Sequence, residues 1–332
     1  MKTKVTALIA DVILVVLIIG GAIWLFTGGS LPVEWTTDGA LLPLVVDWSR
    51  ILIVLTAAGV IVGIGVAAMM RRGRDRIVRG EAVRYHGYER LMHWALALGF
   101  ILDFVTAAWL LRWLTGIGLE STAENRPVLY LVHFIGAGFI VFAAASFATS
   151  SRIRGQDALF PRWRDVGPAV ARLFGYLGVY GEPGVLGLRL RMVWLQRALA
   201  AIGIKPAKRE GKFLAVERVF SFTPLAIVSL IVIVTGLIKA ARYFFPVPSD
   251  VLYWTTWLHG LSTWLTLIVV GLHLAAIFLV PRNWPGIRAM ITGRMRLRHV
   301  EEEFPGWADE LRQREPRGTP TEGAPAHGTV GD

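Results

Sequence analysis

Not one of the 332 residues is a cysteine. That absence excludes disulfides, thiol catalysis, iron-sulfur ligation by this chain, and haem attached covalently through a Cys-x-x-Cys-His motif. Acidic residues are scarce as well: 24 Asp and Glu stand against 35 Lys and Arg, for a net charge of +11. A soluble protein so charged suggests nucleic acid. Here the basic residues lie beside long apolar runs, so they read as topology signals for a lipid membrane, and nucleic-acid binding is not expected. There is no nucleotide-binding loop, no nucleophile triad and no internal repeat. Redox chemistry in this chain must therefore use histidine-ligated or diffusible cofactors.

What is present is apolar: 54% of the residues are hydrophobic, which at this length indicates an all-α polytopic membrane protein. Six spans are predicted: Val5 to Phe26, Ile51 to Met70, Leu91 to Leu111, Val128 to Thr149, Phe213 to Ile238 and Val251 to Pro281. The first is read as a retained helix rather than a cleaved signal, since its apolar run is long and no A-x-A site follows. Thr27 to Asp47 is a polar loop without Lys or Arg. The second span carries Gly59-x-x-x-Gly63, a close-approach face read as intramolecular packing. Alternate connections hold 29 Lys and Arg on one side and 4 on the other. The positive-inside rule thus places both termini in the cytoplasm of a bacterial inner membrane. Residues 1–80 form a two-helix extension, and 81–300 a four-helix domain with a cytoplasmic loop at 151–212. Within that loop Val166 to Leu177 and Leu188 to Ile202 read as helices on the membrane surface or against a partner. Residues 301–332, rich in Pro, Gly, Glu and Arg from Phe304 on, read as a disordered cytoplasmic tail.

Within the apolar spans sit four histidines. His259 and His273 share the last span, 14 residues apart (273 − 259), which is close to four helical turns: one face, about 21 Å apart. His93 lies just inside the third span, near the cytoplasm, and His133 just inside the fourth, near the outer face. Depth therefore pairs His93 with His273 and His133 with His259. Intramembrane imidazoles are costly and mark function, and two depth-matched pairs point to two bis-histidine haems suited to electron transfer. A proton-coupled transporter without haem is the alternative. His299 and His327 lie in polar connections and read as solvated; His86, seven residues before His93, reads either as solvated or as sharing its face. Gly136 and Gly260 adjoin the ring-bearing positions, where bare backbone would admit a flat macrocycle; ordinary helix packing is the equal reading. Arg90 stands at the inner boundary as a candidate partner for haem propionates, and Asp103, about 15 Å deeper than His93, as an acceptor for an outer imidazole.

At these residues the chain resembles the gamma subunit of membrane-bound formate dehydrogenase, a di-haem cytochrome b, within the bacterial cytochrome b561 and nickel-iron hydrogenase cytochrome b group. The resemblance rests on YERLMHW opening one helix, LVHFIGAG in the next, EGKF before the fifth, VTGL at its end, and the 14-residue histidine pair followed by IRAMITGRM. It implies a four-helix di-haem core with His93, His133, His259 and His273 as axial ligands of two haem b. It also implies catalytic and iron-sulfur subunits as outer-face partners and quinone reduced near the inner haem. A hydrogenase or a thiosulfate/polysulfide reductase is the alternative partner. The segment from Gly211 to Arg218 departs from the quinone-site pattern: Leu214 stands at its asparagine position and Val216 at its glycine position. Quinone is therefore expected beside His273 rather than at this segment.

Overall fold

The computed structural model describes residues 41–70, 75–112, 115–122, 124–154, 161–242 and 246–314. Five helices among them are long and apolar enough to cross a membrane. These are α1 (Leu41–Met70), α2 (Gly87–Leu110), α3 (Arg126–Arg154), α6 (Ala215–Ala241) and α7 (Ser249–Leu279). The sixth expected span, Val5 to Phe26, lies outside the described residues. The loop expected to reach Asp47 ends sooner, because α1 is helical from Leu41. Pro43 is tolerated there, since first-turn N–H groups have no helical partner.

The spans form two layers. In the first, α3 packs between α1 and α2, and glycine sets both distances. A Cβ on Gly59 would lie 2.5 Å from the Phe142 carbonyl oxygen, and one on Gly63 would lie 2.5 Å from that of Ser146. The Gly59-x-x-x-Gly63 face therefore serves intramolecular packing. The second layer is the α6–α7 pair, and direct packing between the layers is thin and runs chiefly through α1 and α6. Only 11% of the α6 and α7 windows is buried, against 28–33% in the other three. Side chains in the space between layers therefore have room.

At the end where α2 and α6 begin and α3 and α7 finish, the chain builds a polar-shelled cap, and here two expectations are corrected. The protein is mostly helical, yet β1 (Ile77–Val78), β2 (Glu81–Val83) and β3 (Arg294–Arg296) form an antiparallel sheet in which Ala82 faces Ile77 and Met295. Arg79 (φ 51°) and Gly80 (φ 73°) supply the two-residue left-handed turn between β1 and β2 that matches strand twist. Nor is the chain from Phe304 without a core. After α8 (Trp284–Thr292), α9 (Leu297–Glu303) leads into α10 (Pro305–Arg314). Phe304, Trp307, Ala308 and Leu311, at i, i+3, i+4 and i+7, are buried with Ala82, Val216, Met295 and Val300. Residues 315–332 lie outside the described residues.

Of the two loop helices, α4 (Trp163–Tyr176) belongs to this cap rather than to a free surface. Ala169 and Tyr176 enter its core, and Asp165 takes both Nε (3.2 Å) and Nη2 (3.0 Å) of Arg218. The shorter α5 (Val193–Ala201) leaves most of its apolar side chains exposed. The cap is pinned to the spans by Arg84, 2% exposed, which donates to Glu217 at 3.2 Å and to Met295 Sδ at 4.0 Å. Its guanidinium lies 4.2 Å from the Phe304 ring centroid. A buried arginine needs such a set of partners, since an uncompensated charge there is strongly destabilising.

Candidate functional site

Helix polarity fixes the histidine depths. His93 is in the second turn of α2 and His273 in the penultimate turns of α7, both toward the cap; His133 and His259 lie near the opposite end. His133 and His259 come together across the gap between the layers, where they line one cavity. His93 and His273 lie within electrostatic range of each other.

The hydrogen bonds on the rings define their chemistry. Thr106 Oγ1 donates to the Leu102 carbonyl at 2.7 Å and Thr235 Oγ1 to the Ile231 carbonyl at 2.6 Å. A hydroxyl has one proton to give, so both oxygens are left as acceptors. They sit 3.1 Å from His133 Nδ1 and 2.9 Å from His259 Nδ1. The Nδ1 atoms therefore carry the protons, and each Nε2 keeps its lone pair for a ligand. On the cap side Ser221 Oγ is 3.2 Å from His273 Nδ1. Pro224 accounts for its placement: lacking an N–H, it widens Arg218–Phe222 into a π-helical turn that points Ser221 toward α7. His93 Nδ1 is buried without a hydrogen-bond partner among the described residues.

The wall of this cavity, remote from the cap, is largely apolar, with Asp103 and Tyr130 on one layer and Lys239 and Arg242 on the other. Gly236 brings bare backbone against the site: a Cβ there would lie 3.5 Å from His259 Cε1, so any longer side chain would crowd the ring. Asp103 Oδ1 is buried without a hydrogen bond, 3.7 Å from His133 Nδ1, so among side chains Thr106 rather than the Asp103 carboxylate is bonded to the ring.

Gly136, Gly260 and Arg90, expected near the rings, have the following surroundings. Gly136 is required by the α2–α3 crossing, since a Cβ there would fall 2.1 Å from Asp103 Oδ1. Gly260 faces open space, with nothing within 4 Å of a Cβ. Arg90 donates Nη1 to the Ile291 carbonyl and so caps the C-terminal end of α8. Of the other histidines, His86 Nε2 lies 3.9 Å from Asp75, and His299 packs on Phe304, where burial lowers its pKa. Thr106, Thr235, Ser221, Gly236 and Lys239 were not singled out from sequence. Thr235 and Gly236 stand within the VTGL stretch, and the signal at the other three was a hydroxyl or cation within an otherwise apolar run.

Two opposed imidazoles with free Nε2 atoms, an apolar slot and a cationic edge fit an iron-centred planar cofactor with carboxylate substituents. No curated protein matches the chain. Residues 84–293, well over half of the sequence and including all four intramembrane histidines, match the prokaryotic cytochrome b561 family; the chain belongs to that family and is a membrane cytochrome b.

Proposed function

We propose that the chain is the membrane subunit of a respiratory formate dehydrogenase. It would take electrons from an iron-sulfur subunit at the end remote from the cap and deliver them to quinone near the cap, with both termini cytoplasmic. The observation that carries this reading is the His133–His259 pair, whose Nδ1 atoms are each held by a threonine with Nε2 left free. These two rings would hold one haem b, and His93 with His273 a second. Haem held there would supply one-electron redox chemistry.

The chain's own residues set the conditions for that chemistry. Thr106 and Thr235 fix ring orientation and raise imidazole basicity, and Ser221 does so for His273. Lys239 and Arg242 offer charge to carboxylates at the outer cavity, and the apolar walls exclude water. Arg90, Glu217 and Arg218 are engaged with Ile291, Arg84 and Asp165, and Leu214 and Val216 are buried in the cap. Quinone contact is therefore assigned to the surroundings of His273. A donor at one membrane face and quinone protonated from the other would make the reaction charge-separating.

The purified complex is expected to show a low-spin b-type reduced-minus-oxidised spectrum, two haems per chain, and haem reduction on addition of formate. Reduction by hydrogen instead would assign the hydrogenase partner. Absence of a haem spectrum from a chain expressed with haem available would leave the transporter reading.

A further inference from the structure

The connection between α4 and α6 carries a surface that electron transfer does not use. From Val185 to Lys208 the chain holds Arg189, Arg191, Arg197, Lys205 and Lys208 and no Asp or Glu. Among these exposed cations stand Leu186, Leu188, Leu190 and Trp194, with Leu186 74% and Trp194 67% exposed. Apolar area left in water is unfavourable in proportion to its extent, so the segment's shape must be maintained by something else. Its backbone is tied down: Leu190 and Arg191 N–H donate to the Gly178 carbonyl (2.9 and 3.1 Å), and Met192 N–H donates to that of Val179 (2.9 Å). Gln196 Nε2 adds a bond to the same Val179 carbonyl at 2.7 Å. Gly178, at φ 78°, admits this fold because a Cβ there would lie 2.4 Å from the Leu188 carbonyl oxygen.

Position supplies the second argument. Val185–Gly187 packs on the end of α7 and on the Pro281–Asn283 turn that follows it, the level at which the apolar span stops. At the same turn α8 begins, with Trp284 and Ile291 exposed. Leucines and tryptophans are thus held where hydrocarbon gives way to headgroups, with arginines beside them and no acid among them. Aromatic and basic residues at that height are the membrane-interface pattern. Each cation at an anionic surface strengthens association about fivefold.

We propose that residues 185–208 form an interfacial belt that binds anionic phospholipid headgroups through Arg189, Arg191 and Arg197 while Leu186, Leu188, Leu190 and Trp194 enter the acyl boundary. The belt would fix the height of the cap against the bilayer. This inference does not depend on which redox partner the chain serves.

Because the chain has no cysteine, Leu188→Cys and Trp194→Cys each give a single nitroxide site in the full chain, with Glu310→Cys on α10 as an exposed reference. Labelled protein is placed in nanodiscs of phosphatidylcholine alone or mixed with phosphatidylglycerol, and depth is read from oxygen against nickel-chelate accessibility. The expected result is a deeper, oxygen-rich position for 188 and 194 in the anionic discs. High salt should reverse that shift, the combined Arg189→Gln, Arg191→Gln, Arg197→Gln variant should lose it, and position 310 should stay aqueous throughout. If that variant does not assemble, the lipid and salt comparisons on the native arginines decide. Labels that remain aqueous in both discs would overturn the proposal. So would depth indifferent to lipid charge and salt, or immobilisation that requires an added soluble protein.

Discussion

Thr235 holds its ring by a bond whose direction is fixed by the Ile231 carbonyl, and this yields a signed expectation. An acceptor on Nδ1–H makes imidazole a stronger donor and favours ferric iron. Thr235→Val removes the acceptor at nearly constant volume. The outer haem's midpoint potential should rise by about 20–60 mV, roughly 0.5–1.4 kcal/mol for one electron. Redox titration followed optically measures this, and an unchanged or lowered potential would refute the assigned direction. Under the proposed pairing, His259→Ala should remove a ligand of one haem alone, and His273→Ala a ligand of the other alone. Each variant should retain one low-spin haem of unchanged potential, and loss of both haems from either would break the proposed pairing. The histidines were legible in sequence because imidazole is rare in hydrocarbon. Thr106, Thr235 and Ser221 were not, because a hydroxyl in a span more often bonds its own helix, as Thr56 does to the Leu52 carbonyl at 2.8 Å.

At the level of elements, the cap is held by α9 and α10, and its acid sensitivity resides in Glu303. Burial pushes that carboxyl's pKa up, but Arg172 and Arg282 beside it outweigh burial and hold it below the ordinary glutamate range. Arg282 donates to it at 2.8 and 2.9 Å. A depressed folded pKa contributes stability that is fully present above the unfolded pKa and is lost as pH falls through the folded one. A nitroxide at Glu310→Cys should therefore be ordered at neutral pH and loosen only below the usual glutamate titration. With Glu303→Gln added it should be looser already at neutral pH and respond less to acid. Identical acid responses in the two would place the sensitivity elsewhere. The five described spans were readable from apolar length alone, apart from the early start of α1. The cap was not, because strands of two or three residues show no period. Pro305 and Gly306 also masked the four-residue apolar face that follows: they read as loop residues, whereas Pro305 opens the helix and Gly306 N–H donates to the Glu210 carbonyl at 2.9 Å.

For the whole molecule, the thin packing between the α1–α3 layer and the α6–α7 layer means that a ligand held from both sides adds cohesion that the polypeptide lacks. Binding to the folded state alone stabilises by mass action, about 4 kcal/mol at a thousandfold excess over Kd. Protein purified from haem-limited cells should melt at lower temperature than the loaded form. Its hydrogen exchange should be faster on α6 and α7 than on α1 and α3. Equal melting of both forms would show that the layers hold without a bridging group. The depth order of the histidines could be read from charge bias and helix direction; the gap between the layers could not, since no residue pattern reports a missing contact.

The sheet that closes the cap has a consequence for how the protein is made. β2 pairs with β3, so Ala82 meets Met295 only after the last span has left the ribosome. Arg84 must wait still longer for Phe304. Contacts of such sequence separation form late. During synthesis, therefore, the hairpin at 77–83 has no third strand and Arg84 lacks the Phe304 and Trp307 rings, however well the spans have inserted. Chains stopped before residue 294 would carry an open strand edge, and chains stopped before residue 304 would leave Arg84 without the Phe304 ring.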